Sequence, residues 1–297
     1  MTTSPTGSAL WSTDPRIEHG GPVNCPAPTS ITATGKYPCA AIIVRSCVMS
    51  KVAAIFGAGT GLGLSVARRF GREGFRVALV ARRKDRLDAL VAQLADEGIE
   101  ATPFAADLTV YEDIADSVQA IRDHFGRLDV VEYGPVSGDL KFSPATELDA
   151  AAVQELTPLL LLTPVEIVRA VLPEMIERGD GAILLTLGYS ALEPMPYMSG
   201  VGPVMAAARN YWYSLHGELA GTGVYAGTLT VGAIIERSEL GEAATAQAQI
   251  ADTSSPATFP NGVEITTVDP DELAAIYWDM YTARDGVERV YPRELTP

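Results

Sequence analysis

A short apolar run that leads into a glycine-rich turn and then a helical pattern constrains this chain more than any other feature. Residues 52–56 read Val-Ala-Ala-Ile-Phe, and residues 57–63 read Gly-Ala-Gly-Thr-Gly-Leu-Gly. A strand, glycine turn and helix in this order let the backbone approach a pyrophosphate, whose charge meets unpaired N–H groups at the helix N-terminus. The candidate contacts are Gly57, Gly59, Thr60, Gly61, Leu62 and Gly63.

Strand-like and helix-like patterns alternate through the rest of the chain. Apolar runs at 75–81, 102–106, 128–133, 182–187 and 225–231 are separated by amphipathic stretches such as 85–97 and 114–125. This alternation indicates right-handed crossovers and a parallel sheet covered by helices on both faces. We therefore predict an α/β fold, with a Rossmann-type doubly wound parallel sheet in three α/β/α layers, as a single domain.

Local signals mark two helix starts and one irregular stretch. Thr163-Pro164-Val165-Glu166 has the form of a capping box with proline at the first helical position. Asp269-Pro270 opens another helix, which leads to a last strand at 288–291. Residues 236–268 are small, polar and aperiodic, which is typical of a substrate lid.

The first 48 residues differ in composition from the rest. They are rich in Thr, Ser, Pro and Gly and lack sustained periodicity, which predicts a disordered leader. Because Met49 would be a natural start, a non-native leader is the alternative. Residues 49–297 are then expected to form one dinucleotide-binding domain.

Composition excludes several classes of partner. The chain has 22 Lys and Arg against 37 Asp and Glu, a net charge of −15, and such an acidic surface repels nucleic acid. No apolar run reaches the roughly 20 residues that span a bilayer, and no signal peptide is recognisable. All three cysteines precede residue 48 and match no metal pattern. We expect a cytoplasmic protein with a small-molecule substrate, no metal and no membrane or nucleic-acid partner.

The end of the second strand favours NADP(H) over NAD(H). An acidic residue there would hold a ribose diol, whereas Arg82 and Arg83 suit a 2′-phosphate. The alternative is that these arginines only begin a solvated helix. Asp107, which Leu108 follows, ends the third strand, where it could accept a hydrogen bond from the adenine amine or cap a helix at 110–117. Tyr133 is expected at the C-terminal sheet edge, where ligands bind in doubly wound folds.

Residues 52–291 resemble the short-chain dehydrogenase/reductase family. The matching elements are Gly57-xxx-Gly61-Leu62-Gly63, Arg82-Arg83, Asp107-Leu108, Leu128-Asp129-Val130, the run at 170–175, Gly181-Ala-Ile-Leu, Ser214-Leu-xx-Glu218-Leu219, and Gly232 after the sixth strand. The resemblance implies an NAD(P)-dependent oxidoreductase whose cofactor site includes Gly232 and Ile235. It also implies a homodimer or homotetramer built from helices near 164–178 and 204–219.

The catalytic pair that this resemblance implies is missing. A Tyr-xxx-Lys pair should precede the Ser214 helix end, and counting back from Glu218 places its tyrosine at Val201 and its lysine at Met205. The last lysine of the chain is Lys141, so no shift of the alignment restores the pair. Valine cannot transfer a proton, and a thioether carries no positive charge.

Three residues are candidates to replace the missing pair. Tyr197 lies one turn before Val201, if the helix extends that far. Ser190 lies just after the family serine position, which falls near Leu187 or Gly188. Arg209 follows Met205 by four residues and should share its helix face.

These observations lead to one main hypothesis and two alternatives. The main hypothesis is an atypical NADP(H)-dependent oxidoreductase that acts on a small-molecule carbonyl, imine or enone without the usual Ser-Tyr-Lys mechanism, because the nicotinamide itself carries the hydride. The first alternative is a non-redox cyclase, dehydratase or isomerase on the same scaffold. The second is a non-catalytic NADP(H)-binding protein. Fold alone does not separate them.

Overall fold

A seven-stranded parallel sheet organises the part of the chain that the structure describes. The structure is a computed structural model, and it describes residues 50–136, 142–242 and 264–296. The strand order is β3-β2-β1-β4-β5-β6-β9, with every neighbouring pair parallel. Its strands are β1 (Val52–Phe56), β2 (Arg76–Ala81), β3 (Ala101–Ala105), β4 (Val130–Tyr133), β5 (Gly181–Gly188), β6 (Val224–Val231) and β9 (Glu288–Tyr291).

Helices cover both faces of this sheet. They are α1 (Leu62–Arg72), α2 (Lys84–Asp96), α3 (Ile114–Phe125), α4 (Ala150–Thr157), α5 (Thr163–Arg178), α6 (Val201–Glu218) and α7 (Pro270–Ala283). One core contains Ile121 of α3, Val171 of α5 and Trp212 of α6. The other contains Phe70 of α1 and Tyr277 of α7. Because both faces are covered, the strands are nearly continuous in apolar residues, and the predicted three-layer doubly wound fold is confirmed.

The strand order reverses direction between β1 and β4. Ligands of doubly wound sheets bind at such a switch point, beyond the carboxyl ends of the strands. The loops that follow these two strands touch there, since a Cβ added at Gly57 would lie 2.6 Å from the Cα of Pro135. The glycine turn therefore stands at the position where this topology places ligands.

The helix start predicted at Thr163 takes a different form. A π-helical turn at Pro158–Leu162 joins α4 to α5, and no side chain caps α5. Because the helical chain continues from upstream, the Thr163 hydroxyl is free to donate instead to the carbonyl oxygen of Leu108, at 2.7 Å. By contrast Asp269 caps α7 as predicted, accepting from the Asp271 amide at 2.8 Å.

The predicted lid is only partly covered by the described residues. Its last part, Thr266–Val268, is strand β8, which pairs in parallel with β7 (Ala233–Ile235). Strands this short carry too little periodicity to be read from sequence. Residues 243–263 of the lid, and the predicted leader at 1–48, lie outside the described residues. Across the described ranges, no helix combines the length and apolarity needed to cross a membrane.

Candidate active site

The glycine turn requires glycine at two positions for different reasons. Gly57 has φ +91°, in the left-handed region, and its amide donates to the Val80 carbonyl of β2 at 2.8 Å. Gly63, the second residue of α1, lies so close to the turn that an added Cβ would be 2.9 Å from the Cα of Ala58. The backbone therefore folds tightly between the ends of β1 and β2.

The N-terminus of α1 suits an anion. Gly61 is its N-cap, no side chain caps it, and its first turn contains no acidic residue. Gly59 and Thr60 are exposed, whereas Leu62 is buried and offers only its backbone at this surface. The partial positive charge of the helix end thus faces the turn, which is a favourable position for an anion.

The arginines lie beside this cradle. Arg82 and Arg83 follow the end of β2, and α2 begins at the next residue. Arg83 donates to Oε1 of Glu239 at 2.6 Å, and Arg86 pairs with the same oxygen. Arg82 is exposed. The arginines do flank a helix start, as the alternative interpretation holds, yet they also concentrate cationic charge next to the glycine turn.

Asp107 caps a local turn and not a helix. Its Oδ1 accepts from the amide and the hydroxyl of Thr109, at 3.0 and 2.8 Å, while α3 begins only at Ile114. The pKa of this carboxyl is lowered, first by the Thr109 amide and also by the charge of Arg82. Leu108 is buried, and its carbonyl is held by α5.

The remaining predicted cofactor residues make structural contacts. Tyr133 is 3% exposed, and its hydroxyl donates to the Leu159 carbonyl in the π-helical turn at 2.5 Å. Burial raises the pKa of this phenol. The Gly232 amide donates to the Tyr291 carbonyl at 2.7 Å. Ile235 accepts from Ser238 through its carbonyl.

Ser190 and Met205 both lie near Gly188, the last residue of β5. A Cβ added at Gly188 would lie 3.9 Å from the Ser190 Oγ and 3.6 Å from the Met205 Sδ. Ser190 is 6% exposed, and its Oγ is buried with no hydrogen-bond partner among the described residues. Val201 and Met205 are both buried. Of the three candidate residues, the structure therefore places Ser190, with an unpartnered buried hydroxyl, near Met205, the residue at the family lysine position.

Tyr197 and Arg209 do not join this group. Because α6 begins at Val201, Tyr197 is not on that helix; it is 62% exposed and has φ +66°. Arg209 donates to both carboxylate oxygens of Glu288, at 2.9 and 2.7 Å. Burial alone would raise the pKa of Glu288, but hydrogen bonds from Arg209 and Tyr213 keep it low. The Arg209 charge is thus neutralised at the edge of the sheet.

A buried acid that sequence reasoning missed lies in β4. Glu132 is 1% exposed, and burial raises its pKa to about 8. It accepts from the Thr186 hydroxyl at 2.8 Å, and Thr186 in turn lies 2.6 Å from the Tyr277 hydroxyl. The available signal was an acidic residue inside an otherwise apolar strand, which indicates a neutral carboxylic acid in the core.

Other kinds of ligand site lie away from the glycine turn or are absent from the described residues. Over residues 50–136, 142–242 and 264–296, no group of three His, Cys, Asp or Glu residues could hold a metal ion. A cleft of about 660 Å³ runs along β9 between Arg209, Tyr213 and Arg293. It shares no lining residue with the glycine turn, so we assign the candidate site from the turn and the Ser190 group.

Comparison with known families agrees with the fold. The family model for short chain dehydrogenase matches residues 51–248. An uncharacterized oxidoreductase of Staphylococcus epidermidis is 30% identical over 227 residues, which cover 74% of this chain and 96% of that protein. A short chain dehydrogenase of Pseudocercospora fijiensis is 31% identical over 196 residues, 65% of this chain and 62% of that one. The chain therefore belongs to the short-chain dehydrogenase family.

Solved structures share the fold at low identity. An actinorhodin polyketide ketoreductase with NADPH is 23% identical, with a TM-score of 0.70, over 83% of this chain and 97% of that one. An L-sorbose reductase of Gluconobacter frateurii, complexed with NADPH and L-sorbose, is 24% identical with a TM-score of 0.67, over 81% and 94%. An NAD⁺-bound xylitol dehydrogenase is 18% identical with a TM-score of 0.69, over 82% and 98%.

Proposed function

We propose that this chain is an NADP(H)-dependent oxidoreductase that acts on a small-molecule carbonyl, imine or enone without a tyrosine–lysine pair. Its family, and relatives named as oxidoreductases, support the redox class. Structural neighbours hold NADPH in some cases and NAD⁺ in another, so the preference rests on this chain's own residues. The observation that carries the proposal is the uncapped, acid-free N-terminus of α1 at the glycine turn.

Three parts of the dinucleotide would have partners in this site: the pyrophosphate, the 2′-phosphate and the adenine. The backbone amides of residues 59–63 would hold the pyrophosphate, and Arg82 and Arg83 would hold the 2′-phosphate. Asp107 would accept from the adenine amine with Oδ2, since Thr109 occupies Oδ1. When bound, the nicotinamide supplies or accepts the hydride.

Ser190 is the residue we assign to the substrate. Its hydroxyl would donate a hydrogen bond to the substrate oxygen or nitrogen, since no described residue accepts from it. Met205 lies near Ser190 and is apolar, and this surrounding of low polarity strengthens that bond. A serine hydroxyl is a weak acid, so it stabilises charge while water or the substrate supplies the proton. The site therefore favours substrates that develop little negative charge, such as an iminium.

Cofactor binding is tested by titrating NADPH and following its fluorescence. Gly61→Asp should abolish binding, because a carboxylate would stand at the pyrophosphate cradle. Gly217→Asp is the matched control, since Gly217 is an exposed residue of α6 with open space around its Cβ position. Arg82→Asp should shift preference toward NADH. No NADPH binding by the wild type at tens of micromolar, or equal binding by Gly61→Asp, would refute the proposal.

Turnover is tested with a panel of ketones, iminium ions and enones. Ser190→Ala should lower kcat/KM for a ketone about a hundredfold to a thousandfold, as loss of one charge-stabilising donor does, and affect an iminium less. Ser214→Ala, an exposed change on α6, should leave both rates unchanged. Binding of NADPH without turnover of any substrate would instead support a non-catalytic NADP(H)-binding protein.

We also propose a cytoplasmic homodimer or homotetramer assembled through α5 and α6. Both helices expose large apolar side chains, with Ile176 43% and Tyr213 39% exposed. Sedimentation analysis should show a dimer or tetramer for the wild type and a smaller species for Ile176→Lys. A monomeric wild type would contradict this assembly.

A further inference from the structure

The segment that follows β7 lies directly on the glycine turn. We call residues 236–242 the latch. The Thr60 hydroxyl donates to the Arg237 carbonyl at 2.7 Å. A Cβ added at Gly61 would lie 2.9 Å from the Cβ of Ser238. The latch therefore touches the two residues of the turn that lead into α1.

A single acidic side chain of the latch pairs with two arginines at the start of α2. Oε1 of Glu239 accepts from Arg83 at 2.6 Å and also pairs with Arg86. Both Arg83 and Glu239 are about half exposed, at 51% and 52% of their side chains. The carboxylate thus neutralises the same Arg83 guanidinium that the proposed function assigns to the 2′-phosphate.

The latch holds a strained backbone conformation in this position. Arg237 has φ +59°, a left-handed value that is unfavourable for a residue with a Cβ. Its guanidinium pairs with Asp269 at 2.5 Å and with Asp271 at 3.4 Å, at the start of α7. Ser238 accepts from the Gly241 amide at 2.9 Å and so closes a helical turn. Side-chain contacts therefore hold the latch closed against backbone strain.

We propose that Glu239 is an internal competitor for the coenzyme's 2′-phosphate, and that a bound phosphomonoester displaces it and releases the latch from the glycine turn. This inference rests on the proposed function. A phosphomonoester carries about −1.5 to −2 charges at pH 7 and three strong acceptor oxygens, against one charge and two oxygens for a carboxylate. It therefore outcompetes Glu239 at Arg83. A nucleotide without that phosphate leaves the ion pairs in place, so Glu239 determines coenzyme specificity as well as closure.

The test measures nucleotide binding by calorimetry, with adenosine 2′,5′-bisphosphate and adenosine 5′-monophosphate as probes. Glu239→Gln should bind the bisphosphate about fivefold more tightly than the wild type at low salt, as expected for loss of two exposed ion pairs. Its affinity for the monophosphate should stay unchanged, and the gain should shrink in 0.5 M salt. Glu242→Gln removes the same charge from the latch, where Glu242 forms no ion pair among the described residues, and should behave as wild type.

Three outcomes would overturn the inference, each in a recognisable way. An equal or weaker affinity of Glu239→Gln for the bisphosphate shows that Glu239 does not compete with it. An equal gain for both probes shows that Glu239 acts on the turn and not on the phosphate position. If neither protein binds either probe, the proposed function fails together with the inference. In the first two cases the nucleotide still binds, so only the inference fails.

Discussion

Raising the pH from 5.5 to 8.0 should weaken the fold through the carboxyl group of Glu132. Glu132 lies in β4, opposite Ile55 of β1 on one side and Leu184 of β5 on the other, and it is 1% exposed. Thr186 gives its one hydroxyl proton to Glu132, so the Tyr277 hydroxyl must donate to Thr186. Among the described residues no cation pairs with Glu132, and burial raises its pKa from 4.5 to about 8.

The sign of this pH dependence follows from the direction in which the pKa of Glu132 is shifted. The folded chain keeps a proton on Glu132 that the unfolded chain releases above pH 4.5. Its contribution to stability is complete below that pH and is lost as the pH rises to about 8. The free energy of unfolding should fall by about 1.4 kcal/mol per pH unit in this window, or about 3 kcal/mol from pH 5.5 to 8.0. Carboxyl groups whose pKa is lowered in the folded chain, such as Asp180, change the free energy of unfolding only at lower pH.

Urea unfolding followed by tryptophan fluorescence provides the assay, because Trp212 is buried in the core. Glu132→Gln keeps an acceptor for Thr186 but cannot ionise, so its free energy of unfolding relative to the wild type should rise by about 3 kcal/mol between pH 5.5 and pH 8.0. Glu288→Gln is the control, since its ion pair keeps that pKa low, and its curve should stay parallel to the wild type. A constant difference between Glu132→Gln and wild type across the range would refute the reasoning.

Three further substitutions test stabilising contacts by urea unfolding at pH 7. Arg209→Met should cost about 3 kcal/mol, because it leaves the Glu288 carboxylate partly buried without its cation; a loss under 1 kcal/mol would contradict this. Tyr133→Phe should cost about 1–2 kcal/mol by removing the donor to the Leu159 carbonyl, and an unchanged midpoint would show that water replaces it. Asp149→Ala should cost about 1 kcal/mol through loss of the α4 N-cap, while Asp149→Asn should restore stability.

The sheet and the glycine turn were readable from sequence because both depend on local pattern. Continuous apolar strands and amphipathic helices specify which faces are buried. A left-handed turn and a close backbone approach specify glycine, as at Gly57 and Gly63. These signals lie within a few residues of one another, so no knowledge of distant contacts was needed.

The candidate catalytic residues were harder to place because their partners are distant in sequence. Arg209 does share α6 with Met205, but its partner Glu288 lies 79 residues later. Tyr197 follows Pro196, and its own left-handed backbone stands before the start of α6. Whether the Tyr133 hydroxyl faces a ligand or the core depends on a π-helical turn that no local pattern announced.

That π-helical turn has a consequence for how this chain tolerates changes in length. A π turn holds one more residue than an α turn between hydrogen-bonded groups, so Pro158–Leu162 amounts to a one-residue insertion within a helical run. Deleting Leu161 would remove that insertion and let α4 and α5 merge into one regular helix, with α5 kept close to its present rotation because the π turn already absorbs the extra residue. The Thr163 hydroxyl would then stay within reach of the Leu108 carbonyl. A single-codon deletion here should therefore be tolerated better than one in the middle of α5, which would rotate the rest of that helix by about 100°.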